Sequence, residues 1–301
     1  MGIFYAEVRI ERTAGTRKYI ADAAQCFIRL CKLEELLKKR SEEKKMSELL
    51  QSIQENVVFL LEFLALICAL FLVAYAAEKW AKKVSGDVER VLSTRKIAVI
   101  GVLSAISAIL MLFEFPVPFA PPFYEIDFSE LPALIGTFAY GPVAGVLIEL
   151  CKILLKLLMK GTTTAFVGDL ANFAIGCSYL LPASIIYLFK KTRKNAVIGC
   201  VTGTLVMTVV GTAFNAIYLL PKFAQLYGMP LDAIIGMGTS INPSINNVSS
   251  FVMLAVAPLN LLKGTTVSVL TLLIYKKLSP VLKASGPIRA TKQKEKTKIT
   301  V

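Results

Sequence analysis

The sequence predicts an all-α, multi-pass membrane helical bundle, with a six-helix core over residues 96–280 and one additional spanning helix before it. Three observations carry this. Several apolar runs reach roughly 18 residues or more, the length that crosses about 30 Å of hydrocarbon at about 1.5 Å per residue. The composition is 55% hydrophobic over 301 residues, with a mean hydropathy of +0.63. The formal charge of +13 gathers in short segments between and after the apolar runs, where cytoplasmic loops collect Lys and Arg. That placement speaks for membrane orientation rather than nucleic acid, since neither interleaved exposed aromatics nor a known nucleic-acid module accompanies it.

Residues 1–45 form a first unit, an extension carrying many charges of both signs, and Leu30 to Lys45 reads as an exposed helix with opposite charges at helical spacing. The second unit, 46–95, holds the extra helix and a polar linker. Val57 to Ala77 is a span interrupted only by Glu62, followed by EKWAKK, an anchor with Trp80 at interface height. If that end is inside, the basic residues before it must be translocated, which positive charge resists. A start at Met46, leaving the short acidic MSELLQSIQEN to cross, resolves the conflict. Residues 1–45 are then an upstream misannotation or a dispensable extension, an expectation that native N-terminal sequencing would remove by finding Gly2 or Ile3. No cleavable signal is expected, because no small-residue cleavage pattern follows the first long apolar run.

Ile97 to Phe113 is the first core span. Gly101 with Ala105 and Ser104 with Ala108 each make a small-xxx-small pair, which serves close helix approach either within the bundle or to a partner. Phe115 to Asp127 (FPVPFAPPFYEID) is a loop, because four prolines remove backbone donors. Asp127, Ser129 and Glu130 read as caps of a helix from Ser129 to Tyr140. A Gly141–Pro142 turn leads to a helix from Val143 to Met159, then a loop from Gly161 to Val167 and a span from Gly168 to Phe189. KKTRK (Lys190 to Lys194) anchors that end; Ala196 to Leu220 spans outward, Pro221 to Asn247 is a long outer segment, and Val248 to Tyr275 returns. From Lys276 the tail has eight basic residues against Glu295, so the basic tail at 281–301 and the C-terminus are expected in the cytoplasm, with six spans after residue 95 and seven in all.

Polar residues inside these runs are the candidate site. Glu149 lies about 10 Å along its helix from the start, and either contacts a ligand or forms an internal ion pair with Lys152 or Lys156. Asp169 opens a helix and reads first as a cap. Asn172 is one turn further in, where its amide needs both donor and acceptor satisfied, as a flat ring with alternating carbonyl and N–H edges would do. Lys263 is too far from either helix end to snorkel, so it meets a polar ligand or pairs with Glu149; Asn260 is one turn before it on the same face. Asn215 and Tyr218 share a face and are weaker candidates. Phe119, Phe123, Tyr124 and Phe166 sit on outer loops, as interface anchors or as covers for a planar ligand.

YEIDFSELPALI, FAYGPVAGVLIEL and GDLANF, with PLNLLKG and a later YKKLSP, resemble the riboflavin-specific substrate-binding (S) component of energy-coupling factor (ECF) vitamin transporters over roughly residues 96 to 280. The resemblance implies a six-helix S-component fold in the bacterial cell membrane that takes riboflavin from outside and delivers it inward by tilting. It also implies a transmembrane coupling subunit and two ATPase subunits as partners, with the small residues Gly101, Ser104, Ala105 and Ala108 docking the coupling subunit. Riboflavin is transported ligand, and no cofactor is implied. The family's polar contacts fall on Glu149, Asn172 and Lys263, with Phe119 to Tyr124 in the covering loop. Everything before residue 95 departs from the pattern.

Other functions are weighed against this one. The chain contains no His, which excludes His-based metal sites and His acid–base catalysis. Its six cysteines show no CxxC spacing, and four lie in apolar runs where a thiol acts as a small hydrophobe. No GxxxxGK[ST] phosphate loop is present, so ATP hydrolysis belongs elsewhere. An intramembrane enzyme would need clustered carboxylates or a nucleophile with its base, and the acids here are scattered. The alternative of the same class is another ligand, such as thiamine, a flavin nucleotide or an unrelated heterocycle. Non-enzymatic vitamin binding leads, and it requires Glu149, Asn172 and Lys263 to converge on one pocket open to the outer face.

Overall fold

The computed structural model describes residues 32, 34, 36, 38–47, 57–85, 91–162, 164 and 166–284. In the N-terminal unit, 38–47 is helical and exposed, as the charge pattern predicts. The proposed extension before residue 32, the linker at 86–90 and the tail beyond 284 lie outside the described residues.

The second unit is built from helices whose ends the sequence punctuates. α1, Val57–Ser85, contains neither Gly nor Pro, so nothing interrupts it. α2, Thr94–Met111, starts at Ser93, whose extended backbone and side chain cap the Lys96 amide. The proline-rich loop is tied into a two-residue antiparallel hairpin, β1 (Phe115–Pro116) and β2 (Glu125–Ile126), with Phe115 opposite Ile126.

α3, Glu130–Tyr140, and α4, Pro142–Lys160, are separated at Gly141, whose φ of 102° and ψ of 176° suit glycine alone. A Cβ there would also stand 2.8 Å from a carboxylate oxygen of Glu78. Gly141→Ala is therefore expected to cost roughly 1–3 kcal/mol of stability, read as a lowered thermal midpoint in detergent; an unchanged midpoint would show that the turn relaxes freely.

α5, Val167–Phe189, follows Phe166, which holds a left-handed φ of 67°. α6, Arg193–Phe214, continues through a π-helical turn, Asn215–Leu219, into α7, Leu220–Leu226. The long outer segment thus holds most of α7 and also α8, Leu231–Thr239. A capping box of Asn247 and Ser250 opens α9, Val248–Phe251, and a second π turn, Val252–Val256, leads into α10, Ala257–Ala284.

Five helical stretches among the described residues have the length and apolarity to cross a membrane: Leu61–Val84, Thr94–Met111, Val167–Phe189, Arg193–Leu226 and Val248–Tyr275. α3, with 11 residues, is shorter, and α4 carries Glu149, Lys152 and Lys156. Both are buried where it matters: every residue of α3 from Pro132 to Phe138 is buried, and so are Glu149, Lys152 and Lys156 of α4, whose Leu154 and Leu158 stay exposed. Only a surrounding bundle makes such a charged helix tolerable in lipid.

One end of the bundle is filled by rings. Phe138, Tyr187 and Tyr275 meet with centroids 4.7–6.1 Å apart, and the Tyr275 hydroxyl donates to the Phe138 carbonyl at 3.3 Å. The cavity lies toward the opposite, hairpin end.

The additional helix α1 is docked on this core. Phe63 meets Phe173 edge-on at 5.9 Å, Trp80 meets Phe189 at 5.1 Å, and Glu62 accepts from the Tyr218 hydroxyl at 2.8 Å. Glu78, 1% exposed, accepts from the Val143 amide at 3.3 Å and pairs with Lys82 at 3.2 Å. A carboxylate at the start of α4 is favoured by the unpaired amides and positive dipole end there.

Candidate functional site

A chain of opposite charges runs through the bundle beneath the hairpin. Lys263 Nζ of α10 lies 3.0 Å from Asp127 Oδ2 and 2.9 Å from Glu130 Oε1. Glu130 Oε1 also accepts from Lys152 Nζ at 3.2 Å, and Lys152 reaches the Ser129 hydroxyl at 2.9 Å and Glu149 Oε2 at 2.7 Å. The Lys152–Glu149 approach is a charge contact rather than an aligned hydrogen bond, since neither Glu149 oxygen has a hydrogen-bond partner among the described residues. All five ionisable groups are buried. Asp127, in the loop before α3, also accepts from the Ser129 amide at 2.7 Å. Burial by itself would raise its carboxyl, but Lys263, then Lys152 and the Ser129 hydrogen bonds outweigh that and hold it at about 2, so it is ionised.

Above this chain lies a cavity of about 140 Å³. Asp127, Glu130 and Lys263 form its charged wall. Asn172 and Ile175 of α5, Met207 of α6, and Asn260 of α10 form the sides. Phe123, Tyr124 and Phe223 cover it: Phe123 packs on Tyr124 at 4.8 Å and edge-on against Phe223 at 5.9 Å. The Tyr124 hydroxyl donates to Asn215 Oδ1 at 2.6 Å, while Asn215 Nδ2 donates to the Gly211 carbonyl at 2.7 Å. A polar cavity of about 170 Å³ adjoins it, sharing Glu114, Phe123, Glu125, Asn172 and Phe223, and bounded further out by Lys156, Lys160 and Asp169.

The structure brings Asn172, Lys263, Asn260, Phe123 and Tyr124 to one cavity. Asn260, 4% exposed, has an amide nitrogen with no hydrogen-bond partner among the described residues, and that nitrogen packs against Gly211 of α6. Glu149 does not belong with them: it is fully buried behind the cavity, against Lys152, the internal pair that its helical spacing also allowed. Lys263 pairs with Asp127 and Glu130 rather than with Glu149. Asp169 binds Lys156 at 2.7 Å and lines the outer cavity, and its side chain makes no capping hydrogen bond among the described residues. Phe119 is half-buried and, like Phe166, lines neither cavity. Asn215 and Tyr218 part company, because the π turn carrying both turns Asn215 to the cavity and Tyr218 to Glu62 of α1.

The small-residue pairs of α2 also separate. Gly101 and Ala105 lie on its exposed side, with no atom within 4 Å of a Cβ built at Gly101, whereas Ser104 and Ala108 are buried in the bundle.

The residues that sequence reasoning passed over are Asp127, Glu130 and Lys152. An acid at a helix start is sufficiently explained as a cap, and that local explanation hid the long-range one. A signal existed, since Lys152, Lys156 and Lys263 outnumber the acids Glu149 and Asp169 within these helices and so left cationic charge to be matched.

The description "ECF transporter, substrate-specific component" belongs to a family whose profile matches residues 95–275. The chain is 36% identical over 189 residues to the riboflavin transporter RibU of Staphylococcus aureus (strain TCH60), covering 63% of this chain and 93% of that one. It is 30% identical over 190 residues to the riboflavin transporter FmnP of Bacillus subtilis (strain 168), covering 63% and 94%. A solved structure described as "Structure and mechanism of the S component of a bacterial ECF transporter" is 37% identical, with a TM-score of 0.49, covering 62% of this chain and 97% of that one. With the profile spanning more than half of its length, the chain belongs to the substrate-specific components of ECF transporters.

Proposed function

We propose that this chain is the riboflavin-binding membrane subunit of an ECF-type importer, taking the vitamin at the hairpin face, which is the outer one, and passing it inward. The observation that carries this reading is the cavity itself. Its amides, Asn172 and Asn260, offer donors and acceptors to a heterocycle edge, and Phe123, Tyr124 and Phe223 offer ring faces to a planar ligand. Its ionisable lining is acid-rich, with Glu114, Glu125, Asp127 and Glu130 against Lys263, which favours an uncharged vitamin over its phosphate ester. The named similarity to riboflavin transporters points to the same ligand.

Riboflavin is cargo here, and hydrolysis of ATP is the work of partner subunits. The open Gly101–Ala105 side of α2 suits close approach of a coupling-subunit helix. The basic segment Lys190 to Lys194 and the basic tail mark the cytoplasmic side of a plasma-membrane protein.

Purified protein is expected to be yellow, with its flavin fluorescence quenched by stacking. Calorimetric titration against a vitamin panel tests the assignment: saturable riboflavin binding supports it, and binding of thiamine in its place, or no flavin quenching at all, overturns it. Asn172→Ala is expected to weaken riboflavin binding by roughly 1–3 kcal/mol, the worth of a lost amide hydrogen bond in a buried site. An unchanged dissociation constant would take Asn172 out of the site.

A further inference from the structure

The helix that precedes the family core creates a feature of its own. Between α1 and α4 runs an apolar groove of about 560 Å³, open along one side. Cys68, Phe71, Leu72 and Tyr75 of α1 face Val143 and Leu147 of α4 across it, and Val91 and Leu92 complete its lining. The apolar part of α1 ends at Ala77, so the groove reaches about 14 Å into the bilayer from there at about 1.5 Å per residue, close to one leaflet's half of the ~30 Å hydrocarbon.

Just beyond the groove, α1 carries Lys79, Lys82 and Lys83 against the single acid Glu78. Glu78 is withdrawn, 1% exposed and bound to the Val143 amide and Lys82. Lys79 and Lys83 are exposed, and Lys79 Nζ lies 5.9 Å from the ring centroid of Tyr75, a wall of the groove. A cationic rim therefore stands at headgroup height over an apolar slot at acyl-chain depth.

We propose that this groove holds one acyl chain of an anionic phospholipid, with its headgroup on Lys79 and Lys83. Apolar side chains supply the chain's contacts, and the lysines supply selectivity for negative headgroups, because their long stems let the ammonium groups stay at the interface. The bound lipid fills the gap between the additional helix and the core, so α1 gives this chain a lipid site that the core by itself lacks.

Native mass spectrometry of the full chain, released from detergent containing equal phosphatidylglycerol and phosphatidylcholine, tests this. One phosphatidylglycerol is expected to be retained preferentially. Lys79→Gln with Lys83→Gln should cut that preference by about fivefold for each lysine removed. Leu72 is 69% exposed, so Leu72→Trp can fill the groove without burdening the fold; it should abolish retention of the lipid while riboflavin binding stays unchanged. Equal retention of both lipids by the unaltered chain, retention that survives Leu72→Trp, or a lipid-free dimer occluding the groove would each overturn the proposal.

Discussion

Lys152→Met is expected to lower the stability of the bundle by about 3–5 kcal/mol, the cost of leaving buried carboxylates without their cation. Lys152 is 0% exposed and touches Glu130, Glu149 and Ser129. Among the described residues, Lys152 makes the one salt bridge to Glu149, whereas Glu130 keeps Lys263. The charge stranded by the substitution is therefore chiefly that of Glu149. Pairing Lys152→Met with Glu149→Leu should recover most of the loss, since apolar replacement of a whole buried ion pair is often neutral or stabilising. Thermal unfolding in a single detergent reads both variants. If the single and double variants melt together, the charge chain is not what holds α3 against α4.

Lys263→Ala is expected to abolish measurable riboflavin binding at concentrations that saturate the unaltered protein. Lys263 lines the cavity and neutralises two carboxylates that line it as well, Asp127 and Glu130. Removing it takes away a donor and also leaves Asp127 without its cation facing the flavin, while Glu130 keeps Lys152 alone. Truncating one partner of a buried, hydrogen-bonded charge pair costs about 2–5 kcal/mol, and tenfold in affinity accompanies each ~1.4 kcal/mol. Fluorescence-quench titration gives the dissociation constant, and the thermal midpoint separates lost binding from lost fold. A stably folded Lys263→Ala protein with unchanged affinity would leave Lys263 a structural residue and remove the charged wall from the site.

The two lysines show why part of the site was legible beforehand and part was not. A lone cation in the middle of an apolar run is conspicuous in one dimension, because lipid offers it no counter-charge. Lys263 could be singled out that way, and Asn172 by an amide past the capping position that needs both donor and acceptor satisfied. Lys152 stands three residues from Glu149, so local spacing offered a sufficient explanation and concealed its contacts with Glu130 and Ser129 some twenty positions earlier. Asp127 and Glu130 were concealed in the same manner by their place at a helix start.

Backbone departures follow a similar rule. The break at Gly141 is written in a Gly–Pro pair whose conformational demands are local. The π turns at Asn215–Leu219 and Val252–Val256 carry no such mark, since their residues suit an ordinary helix, yet the first of them decides that Asn215 faces the cavity and Tyr218 faces α1.

By itself the sequence determined that the chain lives in a bilayer, where its apolar helices run, and which polar side chains are out of place there. These follow from length, hydropathy and charge, all properties of contiguous residues. Only the tertiary structure decided which charges meet, that Glu149 stands behind the cavity while Asp127 and Glu130 face it, and that α1 packs on the core. Those outcomes depend on how helices distant in sequence rotate to satisfy buried charge, and a low-dielectric interior settles that for all of the groups together.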